Sequence, residues 1–215
     1  QEGCVPSILE VAKLRNPDAT GFLTTHADFW FHPSAVVNET GLRLEAIWHL
    51  KDGLGIRKVE PGGLHCLSGM EEILNDTTWH WFGRRNIDSW RAIDRLHQVY
   101  GYDRTVCPGW SDGWYLPRSA WGLFANVSSE FGPIVHEVAI PTVLQILHRH
   151  HDVPLQLDKR CWGGCCGCIR ETDAIRKWPC GHRMDLVQQA TRDTLESMLV
   201  EDLKMLRRRA RNARA

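Results

Sequence analysis

Neither sign of charge dominates this chain: 26 Lys and Arg stand against 26 Asp and Glu, a formal net charge of zero. A protein that wraps nucleic acid needs a basic surplus to displace counterions, so wholesale nucleic-acid binding is excluded as the main activity. No apolar run reaches the roughly 18 residues that a membrane span requires. No basic segment leading into a short apolar core marks a secretory signal either. Asparagine is scarce. There are six, yet three of them, Asn38, Asn75 and Asn126, head N-x-S/T sequons, a bias that points to a secretory compartment. An initiator methionine is lacking too. Gln1 stands just ahead of a helical pattern, and we expect further chain upstream.

What is present suffices for one domain of ordinary size. The chain has 215 residues and a 43% apolar fraction, enough to bury a core. Its ten tryptophans suit a carbohydrate-facing surface and a packed core equally well. Composition divides it into an α/β domain over 1–158, a Cys-rich segment over 159–184, and a C-terminal amphipathic helix with a basic tail over 185–215.

The stretch Ser7–Pro33 is where the fold is expected to organise itself. Ser7 and Glu10 form an S-x-x-E capping box, so a helix should begin there. Ile8, Val11, Ala12 and Leu14 give it an apolar face, and Asn16-Pro17 stops it. Ala19 to Thr25 is too short for a helix and reads as a strand. It delivers Thr25, His26 and Asp28 at its C-terminal end, the end at which open α/β sheets bind ligands.

Residues 34–67 show less pattern. Leu42 to Leu50 fits a short helix or a strand, between glycine-marked loops. Ser68 and Glu71 make a second capping box, with a short helix through Leu74. Thr77 to Phe82 alternates like a strand, and Asp88 or Ser89 caps a helix through Tyr100 with Trp90, Ile93, Leu96 and His97 on one face. Residues 105–151 read as strand, loop, strand, helix, loop, helix. The first helix spans Pro117–Ser129, and the second carries Pro141 near its start.

These features carry a family resemblance. Asn16-Pro17-Asp18-Ala19, the strand, the triplet His26-Ala27-Asp28, an aromatic residue and Phe31-His32-Pro33 resemble the centre of the GT-A glycosyltransferase fold. Gly113-Trp114-Tyr115-Leu116-Pro117-Arg118 and His136-Glu137-Val138 resemble two motifs of its Golgi galactosyltransferase type. The resemblance implies a partial, Rossmann-like mixed sheet flanked by helices, lacking its first nucleotide-binding units. Upstream it implies a βαβ unit and a membrane anchor, and the location it implies is the Golgi lumen. The partners would be a nucleotide-sugar donor and a glycan or glycoprotein acceptor. In the family the triplet is D-x-D and holds a divalent cation against the two phosphates, since a hard cation wants carboxylate and phosphate oxygens. With His26 in the first place the implied cofactor is Mn²⁺ (or Mg²⁺), manganese tolerating imidazole. His26, Asp28 and a C-terminal histidine, His182 first and His150 or His151 after it, would hold the ion.

The same resemblance makes Glu137 the general base that deprotonates the acceptor hydroxyl. A carboxylate in the first turn of a helix, favoured by the macrodipole, is the other role that fits it. Asp112 comes next, able to bind a sugar hydroxyl or serve as an alternative base, with Trp110 or Trp114 stacking on the ring and Thr25 nearby. It also fits as a turn aspartate. Likewise Asp28 could cap a turn, and His26 could pack against Trp30.

Eight cysteines complete the inventory. Cys165-x-x-Cys168 and Cys180-x-His182 have zinc spacing, but an even count beside the sequons favours disulfides around Cys161 to Cys180, with Cys4, Cys66 and Cys107 as further partners. The rival to an enzyme is therefore a non-catalytic interaction domain stapled by disulfides or zinc.

Overall fold

The computed structural model describes residues 4–26, 29–34, 43–50, 66–75, 86–132, 134–158, 161, 172–181 and 184–212. In chain order the elements are α1 (Cys4–Arg15), β1 (Gly21–Thr25), β2 (Trp30–Phe31), β3 (Ile47–Leu50), β4 (Leu67–Ser68), α2 (Met70–Asn75) and α3 (Asn86–Tyr100). There follow β5 (Thr105–Val106), β6 (Gly113–Pro117), α4 (Trp121–Ser128), α5 (His136–His151), β7 (Leu155–Asp158), α6 (Thr172–Lys177), β8 (Cys180–Gly181) and α7 (Gln189–Asn212).

The chain is a mixed α/β fold, as expected. Its main sheet has the order β1-β6-β3-β7. β6 runs antiparallel to β1 and β3, while β3 and β7 are parallel. β1, β3 and β7 therefore point one way, and Thr25, Leu50 and Asp158 end them along one rim, beside Gly113 at the start of β6. The centre of the sheet differs from expectation. β1 is an edge strand whose residues are half-buried or exposed, whereas every residue of β6 is buried.

Alternation along the strands builds two cores. Ile47, Trp114 and Leu116 face a large cluster with Ile93 and Leu96 of α3, Trp121 and Phe124 of α4, and Val143, Leu144 and Leu147 of α5. Trp48, Leu50 and Tyr115 face a smaller one with Phe29, Trp110 and Cys180. The tryptophans Trp30, Trp48, Trp110, Trp114 and Trp121 are all buried, so much of that unusual content is core.

Several boundaries differ from the capping signals. α1 begins at Cys4, ahead of Ser7, and ends at Arg15 before Asn16-Pro17. α2 begins at Met70, and Ser68 N–H donates to the Glu72 carboxylate at 2.7 Å, so the reciprocal partner is Glu72 and not Glu71. α3 starts two residues ahead of Asp88. The segment expected to be one helix from Pro117 to Ser129 is a 3₁₀ turn (Arg118–Ala120), α4, and a second 3₁₀ turn (Ser129–Phe131). The strand expected at 77–82 lies outside the described residues.

The C-terminal part folds back on the start of the chain. β2 pairs with β8, and Trp30, Ile175, Met184 and Met198 form a third cluster. The final helix begins at Gln189, not at Asp185; Asp185 Oδ1 instead accepts the Val187 N–H at 3.2 Å in the preceding turn. Its buried face is Thr191, Leu195, Met198 and Asp202, while Val187, placed in the expected apolar stripe, is 86% exposed. Asp202 replaces part of that stripe because it has a polar partner: its two carboxylate oxygens accept from Ser34 Oγ at 2.5 Å and Ser34 N–H at 3.3 Å. Among the described residues two disulfides, Cys66–Cys107 and Cys161–Cys180, cross-link the chain, the second where the sequence placed one. Closing the 41-residue separation of the first is worth roughly 4 kcal/mol of chain entropy. No described helix is long and apolar enough to cross a membrane.

Candidate functional site

The rim where β1, β3 and β7 end is built by the segment 107–112, which is fastened at four points. Cys107 is bonded to Cys66, and its N–H donates to Thr142 Oγ1 of α5 at 2.9 Å. Asp112 accepts the His26 N–H at 2.8 Å through its carbonyl. The fourth point follows from Pro141, which lies inside α5. Proline has no N–H for the carbonyl four residues earlier, that of Glu137. The Gly109 N–H fills that vacancy at 2.8 Å. A helix fault thus fastens the loop carrying Trp110 and Asp112 to the turn carrying Glu137.

The side chains form a chain of contacts across this rim. His26 Nδ1 lies 2.9 Å from Asp112 Oδ1. The His26 ring meets that of His136 edge-on, centroids 4.9 Å apart. His136 Nδ1 lies 3.4 Å from Glu137 Oε2, an oxygen that is buried without a hydrogen bond of good geometry. The acids are the more sheltered members: the Asp112 and Glu137 side chains are 11% and 23% exposed, against 37% and 40% for His26 and His136. An arrangement of sheltered carboxylates behind accessible imidazoles can bind a cation, take protons from a hydroxyl, or orient a polar substrate.

His49 adds a titratable group that sequence inspection passed over. It lies on β3 across from Trp114 and is completely buried. Burial pushes its pKa down to about 4, opposed by the carbonyls of Trp110 and Leu50 and by the Asp112 carboxylate. Those carbonyls act electrostatically; neither ring nitrogen makes a hydrogen bond of acceptable geometry. A polar residue inside the apolar run Ile47-Trp48-His49-Leu50 was the available signal. Ser111 Oγ, in the same loop, is also buried without a hydrogen bond. Such groups are rare in native interiors, and those on His49, Ser111 and Glu137 make this rim the candidate site.

The predicted residues are placed as follows. His26, Asp112 and Glu137 come together here, and Thr25, exposed, ends β1 beside Gly113. Trp110 is buried behind the rim at 8% exposure. Trp114 lies in the large core at 1% exposure, stacked on Phe124 with centroids 5.2 Å apart, a position that leaves its ring no open face for a sugar. Asp28 and His182, and with them Cys165, Cys166 and Cys168, fall outside the described residues. His150 and His151 sit at the other end of α5, about 21 Å from His136 at the helical rise, and contact Asp103 N–H and Tyr102 Oη. They cannot share an ion with His26. Among the described residues no three or more His, Cys, Asp or Glu side chains converge as a metal site. Comparison with protein-family models, curated proteins and solved structures found no match.

Proposed function

We propose that the chain is part of a GT-A-type glycosyltransferase that moves a hexosyl group from a nucleotide-sugar to a hydroxyl of a glycan or glycoprotein in the Golgi lumen. The observation that supports this most is the convergence of His26, Asp112 and Glu137, from three distant segments, on the rim where parallel strands end. The two disulfides fit an oxidising compartment, and Asn75 and Asn126 of the sequons are exposed.

Glu137 is the general base of this reading. An acceptor hydroxyl is far too weak an acid to ionise at neutral pH, so its proton must leave as the glycosidic bond forms. The Glu137 side chain, 23% exposed at this rim, is the carboxylate that would receive it. The residues fit a cation in one respect: His26 turns Nδ1 to Asp112, the posture in which an imidazole ligates through Nε2. His26, with Asp28 and His182, would hold Mn²⁺ (or Mg²⁺), which would offset the charge of the departing diphosphate. Asp112 holds His26, and Trp110 supports the loop from behind.

The test is turnover of a panel of nucleotide-sugars with manganese, by the chain and by Glu137→Gln. We expect kcat to fall ~10²–10⁴-fold with donor affinity and melting temperature near wild type. Stability lost in step with activity would assign Glu137 to the helix terminus. No turnover of any donor would leave the stapled interaction domain as the function.

A further inference from the structure

We propose that a cleft on the second half of α5 is a saccharide-binding subsite: Gln145 and Thr142 at its floor take one sugar hydroxyl, and Asp103 and Arg149 at its mouth take the neighbouring ones. The site needs neither Glu137 nor a nucleotide. Gln145 lies nine residues along α5 from His136, about 14 Å at the helical rise.

The cleft lies between α5 and the segment leading into β5. Asp103, Thr105, Thr142, Gln145, Arg149 and His150 line it, and its volume is about 200 Å³, part of it open to solvent. Helical periodicity builds one wall: Thr142, Gln145 and Arg149 follow at i, i+3 and i+7 and share a face. Thr142 and Gln145 are 1% and 7% exposed, amid the apolar residues of the buried helix. Polar groups so placed are costly unless something pairs with them. Thr142 Oγ1 accepts the Cys107 N–H at 2.9 Å, which leaves its own hydroxyl hydrogen to donate. Gln145 Oε1 is buried without a hydrogen bond among the described residues. That acceptor calls for a donor from outside the chain.

These groups fix the chemistry of the ligand. The enclosed end of the cleft has room for about one water-sized group. That group must donate to Gln145 Oε1 and can accept from the Thr142 O–H. A hydroxyl does both. A carboxylate or phosphate oxygen donates nothing, and an ammonium would bury a charge away from Asp103, whose side chain is 60% exposed. The mouth carries one charge of each sign. An anion paired with Arg149 would face Asp103, and a cation paired with Asp103 would face Arg149. Adjacent hydroxyls of a neutral sugar meet both without conflict, donating to the carboxylate and accepting from the guanidinium. The Asp103 N–H donates to His150 Nε2 at 3.2 Å, and the His150 ring lies against Tyr102, centroids 4.8 Å apart. Tyr102 stacks in turn on Tyr100, which is exposed and offers an aromatic face to the C–H side of a sugar ring.

Saturation-transfer NMR of the chain with the methyl glycosides of galactose, glucose and mannose tests this, with Kd taken from titration. We expect transfer to at least one glycoside. Gln145→Met keeps the length of the side chain and removes the acceptor, and should raise Kd about 10-fold. Arg149→Ala and Asp103→Ala, both surface changes, should also weaken binding. Circular dichroism confirms that each variant is folded, and if Gln145→Met does not fold the two surface variants decide. Sodium acetate and glycine should not compete. Absence of transfer to any of the three glycosides means that the cleft holds water alone, and overturns the inference. Wild-type affinity in the folded variants puts the sugar elsewhere, the rim included, and overturns it as well. Competition by acetate or glycine makes the cleft an anion or zwitterion site and rejects the saccharide. None of these outcomes bears on Glu137, which turnover alone decides.

Discussion

His49 makes the stability of this protein depend on pH in a calculable way. Its ring is fully buried on β3, and burial lowers its pKa from 6.5 to about 4. Above pH 6.5 neither the folded nor the unfolded chain holds a proton there, and the residue adds no pH dependence. Below 6.5 the unfolded chain takes up a proton that the folded chain refuses until about pH 4. Unfolding is thereby favoured, and the loss grows as pH falls through that window. A difference of two and a half pH units corresponds to about 3 kcal/mol at pH 4, a large fraction of ordinary domain stability. The assay is urea unfolding at intervals from pH 7.5 to 4 for wild type, His49→Gln and His49→Leu. Acidic residues titrate in the same range, so the measured quantity is the difference between wild type and variant at each pH, in which their contributions cancel. Near pH 7 His49→Leu should be no less stable than wild type, since it removes two buried nitrogens that lack hydrogen bonds. Toward pH 4 both variants should gain on wild type by about 3 kcal/mol. Parallel curves would show that His49 is hydrated or hydrogen-bonded in solution and refute the reasoning.

Two further outcomes follow from packing. Gly113→Ala sets a methyl group against the Phe29 ring and should cost about 1–3 kcal/mol in urea midpoint, whereas Gly122→Ala, open on the surface of α4, should not destabilise. Asp202→Ala strips Ser34 of its carboxylate partner and should cost about 1–3 kcal/mol. Hydrogen exchange should then rise first in α7 and in the Trp30–Ser34 segment, and a uniform rise would show that the C-terminal helix is not held separately.

The sequence determined what local chemistry can determine. Asn16-Pro17 stopped α1, the β-rich run ending at Thr25 was a strand, and the apolar content of 138–147 made a buried helix with Pro141 tolerated inside it. Disulfide chemistry at Cys161 and Cys180 was legible from composition and sequons together. The helix stop and the strand rest on interactions within a few residues, and the disulfide on cysteines 19 residues apart. The tertiary structure decided the rest. Whether β1 or β6 forms the middle of the sheet depends on what covers each face, which no strand encodes alone. Helix starts lay elsewhere than the capping signals placed them, at Cys4, Met70 and Asn86. The stripe of α7 ran through Asp202 because Ser34, far off in sequence, supplied its hydrogen bonds. His49 looked like one polar residue in an apolar strand, and only strand register set it against Trp114 and near Asp112. The His26–Asp112 pair exists because β1 lies antiparallel to β6 with Thr25 opposite Gly113. A shift of register by one residue would put every side chain on the other face and part the two.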